Sequence, residues 1–394
     1  MRIGSHVDED IAHRHSLGAP ALLVAALVAA GATAAQATPK SPPKPPVGTV
    51  QVVVSGLDNP RGLTFGTGGQ LFIAEAGHGG TLPLGGGPEG DQYGGLTGRL
   101  GVWKDGVLTH PITGLFSAAD QSGVAAEGLV SVDAQGRWVT GQIALNTAPI
   151  PPVPPGNPIV DAARAQLGRT VALDPGTGTW SPIAATGDAD YAWTAAHKDL
   201  VPDQFPDANP NSVIVVGNTR YVADAGANIL AKVDKNGSVS TVAFMDVPAG
   251  SVTDGVSTCV AHAPDGSFYV TELLGGTYAP GGARVWQVWP NGTARVKWTG
   301  FSTIQGCGFD GSGNFYVTEF QVNGLAFGPG ADPSGALVKI SPSGQRTTYG
   351  LGKLFYPSGF AFRGGSAYVS NWSIMPADGP NGQSGQVVRI NVGG

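Results

Sequence analysis

The stretch PRGLTFGTGGQLFIAEAG at residues 60–77 reads as two short apolar strands joined by a Gly-rich turn, opened by small residues and closed by a carboxylate. Runs of strand length bounded by Gly and Pro are hairpin signals. The same pattern returns as STCVAHAPDGSFYVTEL (257–273) and QGCGFDGSGNFYVTEF (305–320), and more loosely as AEGLVSVDAQGRWVTGQ (126–142), NSVIVVGNTRYVADAG (211–226) and PSGFAFRGGSAYVSNW (357–372). Further strand-like segments follow the copies, such as GRLGVWKDG, ARVWQVWPNG and GQVVRINVGG. Hairpins recurring at roughly 40–50 residues mark propeller blades. The sequence therefore predicts an all-β fold, a six-bladed β-propeller of NHL/SGL-like type. The opening strand at 50–54 has no partner in the first copy. It is expected to pair with the final strand at 387–391, so that the two chain ends close the ring and leave no open edge.

Composition agrees with this class. The chain has 394 residues with 62 Gly and 31 Pro, and only 13% are charged. That punctuation favours many short strands over helices. A net charge of −6 with no basic stripe argues against a nucleic-acid partner. Asp265-Gly266, Asp310-Gly311, Asp105-Gly106, Asn236-Gly237 and Asn291-Gly292 are expected to form tight turns with left-handed residues. The propeller is expected to span 49–394, with inserts at 142–166 and 180–210. Short helices are expected at 161–168 and 191–200.

The first residues read as an address. Arg14 precedes an apolar run at 17–32, and Ala35-Gln36-Ala37 is a small-x-small cleavage site. Residues 1–37 are thus expected to be a signal peptide, and the Pro-rich 38–48 a stiff linker. The expected product is secreted or extracytoplasmic, monomeric and without a transmembrane anchor. Cys259 and Cys307 occupy nearly equivalent positions of consecutive copies, which suits a disulfide in an oxidising compartment. The other reading is two buried thiols between sheets.

Three stretches resemble the ScyD/ScyE family, secreted propellers named for genes linked to scytonemin pigment formation. They are VVVSGLDNPRGLTFGTGGQLFIAEAGHGG (52–80), the segment DADYAWTAAHKDLVPDQFPDANPN (188–211) leading into YVADAGANILAKVDKNGSVSTVA (221–243), and APDGSFYVTELLGGTYAPGGARVWQVWPNG (263–292). The resemblance covers residues from about 50 to the C-terminus by motif placement. It implies an exported six-bladed propeller of unassigned activity, with a link to secondary metabolism. One departure is Asp207-Ala208-Asn209-Pro210-Asn211, where the family tends to show Ser and an aromatic residue.

Aligning the copies places Glu75, Gly141, Asp224, Glu272, Glu319 and Asn371 at one position, just after the second strand. Repeated carboxylates there would line one mouth of the central channel. Glu75, Asp224, Glu272 and Glu319 are hard oxygen donors of the kind calcium takes, and Asn59, Asn209 and Asn228 would add amide oxygens. Asp207 and Asn209 in the insert complete the channel-mouth set. The competing reading is that these side chains accept backbone N–H groups in turns. His78, following Glu75 on one loop, and His197, in the insert, are the candidate general bases. His262 aligns with Phe65 and is expected to be buried. No paired-histidine zinc spacing or Gly-x-Ser-x-Gly elbow occurs. Trp193 is expected either to stack on a flat ligand or glycan or to anchor the insert.

Two functional classes follow. The first is an exported binding or scaffold module for an unassigned small molecule, glycan or protein, using the insert and the channel mouth. The alternative is a calcium-dependent hydrolase of gluconolactonase or paraoxonase type, in which the metal polarises a carbonyl or activates water. A quinone-dependent sugar dehydrogenase would need basic and histidine side chains around a cofactor, and both are scarce here.

Overall fold

The computed structural model describes residues 46–393, apart from 88–89, 137, 149, 151–155, 247–254, 275–279 and 327–329. The expected signal peptide at 1–37 and most of the linker at 38–48 lie outside the described residues. Among the described residues strand accounts for 54% and helix for 7%, so the class is all-β.

Among the described residues the strands form six antiparallel sheets, five with four strands and the first with five. Their first strands are Pro60–Phe65, Leu129–Gln135, Pro210–Val216, Ser257–His262, Ile304–Phe309 and Phe360–Arg363. Each pairs with the next strand in sequence, as the hairpin repeat predicts. The opening strand Val50–Leu57 pairs with Gly385–Asn391, with Val50 opposite Ile390. The sixth sheet is thus built from both ends of the chain, as expected.

First strands pack on one another in a cycle: first on second, through to the sixth, which returns to the first. Between consecutive sheets lie apolar layers. Phe72, Leu100 and Ile112 of the first sheet meet Leu129, Val139 and Val171 of the second. Ala184 meets Val213 and Ile229 between the second and third, and Leu230 meets Phe268 and Trp286 between the third and fourth. Val285 meets Phe315 and Val338, Leu337 meets Val369 and Ile390, and Val387 meets Leu63 and Ile73, completing the circuit. Second strands such as Leu71–Glu75 and Phe268–Glu272 are buried at every residue because sheets cover both their faces. Outer strands such as Arg346–Phe355 are largely exposed and correspondingly polar.

The small residues that open each copy have a packing cause. A Cβ on Gly62 would lie 2.8 Å from Ser131 Cα, and one on Gly359 would lie 2.7 Å from Arg61 O and from Gly62 Cα. These glycines let neighbouring first strands approach backbone to backbone. Gly359→Ala is expected to cost about 1–3 kcal/mol through overpacking, measured as a lower urea midpoint with unchanged slope. A loss under about 0.5 kcal/mol would show that the strands part easily.

Several expectations need correction. The helix expected at 161–168 is α1, Pro158–Gln166, which begins earlier because Asn157 caps the Ile159 and Val160 N–H groups. The helix expected at 191–200 is α2, Thr186–Ala196, displaced towards the N-terminus. Residues 180–185 belong to the outer strand Thr179–Ala185 of the second sheet, so the second insert starts only after them. In the Asp310 turn the left-handed residue is Gly313, at φ 77°, rather than Gly311. His262 ends its strand exposed rather than buried, with its ring 5.3 Å from that of Phe268. An added hairpin strand, Leu82–Gly87, escaped the repeat pattern.

Candidate functional site

The repeated side chains sit at one end of the sheets, where first strands begin and second strands finish. Glu75 is fully buried and opposite Pro60. Its Oε2 accepts the Asp58 N–H and Arg99 Nε, both at 2.9 Å, and its Oε1 lies 2.7 Å from His110 Nε2. Asp224 Oδ1 accepts the Asn209 N–H at 2.7 Å, Glu319 Oε1 that of Ser302 at 2.8 Å, and Asn371 Oδ1 that of Phe355 at 2.7 Å. Each therefore ties the segment entering its own sheet to the end of the second strand. A matching carbonyl bond accompanies all four, from Ala76 to Asn59 O, Ala225 to Asn209 O, Phe320 to Thr303 O and Trp372 to Phe355 O. Backbone groups at buried strand ends need such partners.

Glu272 instead turns to the third strand of its own sheet. It accepts the Arg284 N–H, Nε and Nη2 and, at 2.6 Å, Trp286 Nε1. Burial nevertheless outweighs the guanidinium and raises its carboxyl above the usual range. Burial likewise raises Glu319.

Gly141 is not the equivalent of these residues. The register places Ile143 opposite Leu129 as Glu75 stands opposite Pro60, so the second sheet has an apolar residue there. Asn59, Asn209 and Asn228 bridge between sheets instead of facing a common centre. Their Oδ1 atoms accept N–H groups from Ala126, Leu145 and Val256 respectively. Glu75, Asp224, Glu272 and Glu319 belong to four different sheets and are engaged separately. Among the described residues no group of three or more His, Cys, Asp or Glu is arranged to hold a metal. The four carboxylates do not fit a shared calcium site.

A cavity of about 170 Å³ is lined by the first strands of all six sheets, through residues such as Thr64, Asp133, Ser212, Thr258, Gln305 and Phe360. Side chains stitch these strands together across the sheet boundaries. Ser131 Oγ and Asp133 accept the Val213 and Val215 N–H groups. Thr258 donates to Ile304 O, Thr318 to Ser358 O and Ser370 to Arg61 O. Arg61 Nη2 donates to Ala126 O. The Cys259–Cys307 disulfide forms part of the cavity wall, joining the fourth and fifth sheets with a Cα–Cα distance of 5.8 Å. Burial raises the carboxyl of Asp133, against the opposing hydrogen bond from Val215.

His78 and His197 are not joined by any described contact. His78 Nδ1 lies 3.3 Å from Asp58, a carboxylate that also pairs with Arg99 at 3.1 Å. His197 stacks on Trp193 with centroids 4.2 Å apart, and its Nδ1 is 2.7 Å from Trp193 O. Trp193 in turn packs near Phe205 and Phe244, so it anchors the insert. Asp207 exchanges backbone hydrogen bonds with Thr194 Oγ1, tying the far end of the insert to α2. Sequence reading missed Asp58, Arg99 and Asp190. Arg99 had a signal: GRLGVW and ARVWQV align, and Arg99 and Arg284 meet their carboxylates in the same way.

No known family profile matches the chain. No curated protein matches it either. The resemblance to the ScyD/ScyE family therefore has no support from these comparisons. Solved structures do match. A protein of unknown function from Bacteroides thetaiotaomicron is similar over 87% of this chain and 75% of its own, with a TM-score of 0.52 and 10% identity. A putative oxidoreductase (glucose dehydrogenase) from Thermus thermophilus covers 87% of this chain and 99% of its own, with a TM-score of 0.50 and 13% identity. A gluconolactonase from Xanthomonas campestris covers 86% and 89%, with a TM-score of 0.47 and 11% identity. The fold is a β-propeller. Identities this low establish the fold alone. The disulfide predicted from the sequence is present. No helix among the described residues is long and apolar enough to cross a membrane.

Proposed function

We propose that this chain is an exported six-bladed propeller that acts by binding, through the insert at 186–209 and the neighbouring loops at the same end of the sheets. The observation that carries the reading is how the insert is held. Its base is fixed by Trp193, the Thr194–Asp207 bonds and the Asn209–Asp224 bond, while its tip residues Lys198, Asp199 and Leu200 are exposed. A preformed loop with an exposed mixed charged and apolar tip costs little ordering on binding. The cavity of about 170 Å³ is smaller than sites for drug-sized ligands, which favours a glycan or protein on the outer surface.

The calcium-dependent hydrolase is the less favoured reading, because the carboxylates it requires already hold N–H groups, arginines and a tryptophan. The Asp58–His78 and Glu75–His110 pairs are on its side, each a buried carboxylate beside a more exposed imidazole. Lys198→Glu with Leu200→Ser is the discriminating variant. Glycan-array and secreted-fraction binding of the mature domain are expected to fall at least about tenfold in it, with melting unchanged, since exposed changes rarely affect stability. Equal binding by the variant and the parent would remove the insert from the binding surface.

A further inference from the structure

The cavity enclosed by the six first strands has one carboxylate in its wall, Asp133, and among the described residues no Lys, Arg or His lines it. Asp133 is half-buried, and its Oδ2 accepts the Val215 N–H at 2.7 Å. It forms no ion pair. Arg61, on the first strand of the first sheet, turns to Ala126 O and does not line the cavity. The carboxylate is thus drawn out of bulk water with no cation in compensation, the unfavourable case for a buried charge. The same wall carries polar groups that hold no part of the frame. Ser131 and Thr258 staple neighbouring first strands. Among the described residues, however, the amides of Asn211 and Gln305 and the hydroxyl of Thr64 bond to no protein group. Asn211 and Gln305 each stand one residue into their strands, next to Pro210 and Ile304, the partners of Asp224 and Glu319. Asp133 and Thr64 lie further along, opposite Thr140 and Phe72. The cavity therefore offers neutral donors and acceptors towards one end, and an uncompensated carboxylate with a hydroxyl towards the other.

We infer that this central cavity binds a small hydroxylated organic cation, a primary amino alcohol, with its ammonium at Asp133 and its hydroxyl groups at Asn211 and Gln305. The volume sets the size. A cavity of about 150 Å³ accommodates benzene, so one of about 170 Å³ admits roughly six to eight non-hydrogen atoms. An ammonium at Asp133 sets charge against charge where water screens little, which a hydroxyl in its place cannot do. A calcium ion is the poorer fit, since it takes six or more oxygen ligands and only one carboxylate lines the cavity. The site is separate from the 186–209 insert and does not depend on the binding role proposed for it.

Titration calorimetry of the mature chain in phosphate buffer at about pH 7, where an aliphatic amine is protonated, tests this. The probes are 2-amino-1,3-propanediol and glycerol, which differ only in an ammonium for a hydroxyl. One equivalent of the amine is expected to bind with a Kd of about 1 mM or tighter, and glycerol at least about tenfold more weakly. Asp133→Asn keeps an oxygen for the Val215 N–H. It is expected to weaken the amine at least about tenfold and to leave glycerol within about twofold. Gln305→Ala removes no bond to the protein and is expected to weaken both probes about three- to tenfold. That variant and the probe pair decide the matter if Asp133→Asn does not fold. Lys198→Glu with Leu200→Ser is expected to change neither affinity, which keeps this result apart from that of the insert. No heat from the amine up to about 50 mM would overturn the inference. So would equal affinity for the two probes, or full affinity for the amine in a folded Asp133→Asn.

Discussion

Glu272→Ala is expected to destabilise the mature domain by about 3–5 kcal/mol, the loss found when one partner of a buried ion pair is removed. The alanine would leave the Arg284 guanidinium, 12% exposed, and the Trp286 indole N–H without their shared acceptor. Glu272→Gln keeps an oxygen for Trp286 but not the charge for Arg284, so a smaller loss of about 1–3 kcal/mol is expected. Urea unfolding with and without chelator measures both. A structural role gives the same difference in each condition. If the deficit of the alanine variant vanished once chelator was present, Glu272 would be a metal ligand and the latch account would be wrong.

Removing the disulfide is the second large effect. Cys259 and Cys307 are 48 residues apart, and closing a loop of that length restricts the unfolded chain by about 3–4 kcal/mol in the chain-entropy treatment. Cys259→Ala with Cys307→Ala is expected to lose about 2–4 kcal/mol. A reducing agent should lower the stability of the wild type towards that of the double variant and leave the variant unchanged. The fourth and fifth sheets remain joined by Thr258 to Ile304 O and by the Val285, Phe315 and Val338 layer, so the variant is expected to fold. A reduced wild type as stable as the oxidised protein would remove the bridge from the stability of the ring.

Much of the architecture was legible because each copy carries its own local instructions. Alternating apolar residues, a Gly turn and small residues at the start specify a hairpin, and Gly62 and Gly359 show why the start must be small. The closing pair of Val50–Leu57 with Gly385–Asn391 followed from an unpartnered first strand. The repeated carboxylate was visible too, but its role was not. Position alone does not say whether an oxygen faces a channel or a backbone N–H, and here the N–H groups of Asp58, Asn209 and Ser302 decide. Gly141 was misplaced because the second sheet, which shares the bulge of its neighbours, carries the apolar Ile143 at the equivalent position and so has no carboxylate to mark it. Asp190 carried no pattern at all. The fold buries it in α2 with Oδ2 lacking a hydrogen-bond donor, which no repeat announces.

The central claim is that the repeated acids are backbone latches in a propeller that needs no metal. Elemental analysis of the purified mature domain, with melting recorded with and without chelator, tests it most directly. The account predicts no stoichiometric metal and a melting temperature that the chelator leaves unchanged. One calcium per chain, lost to the chelator with a falling melting temperature, would contradict it and restore the hydrolase.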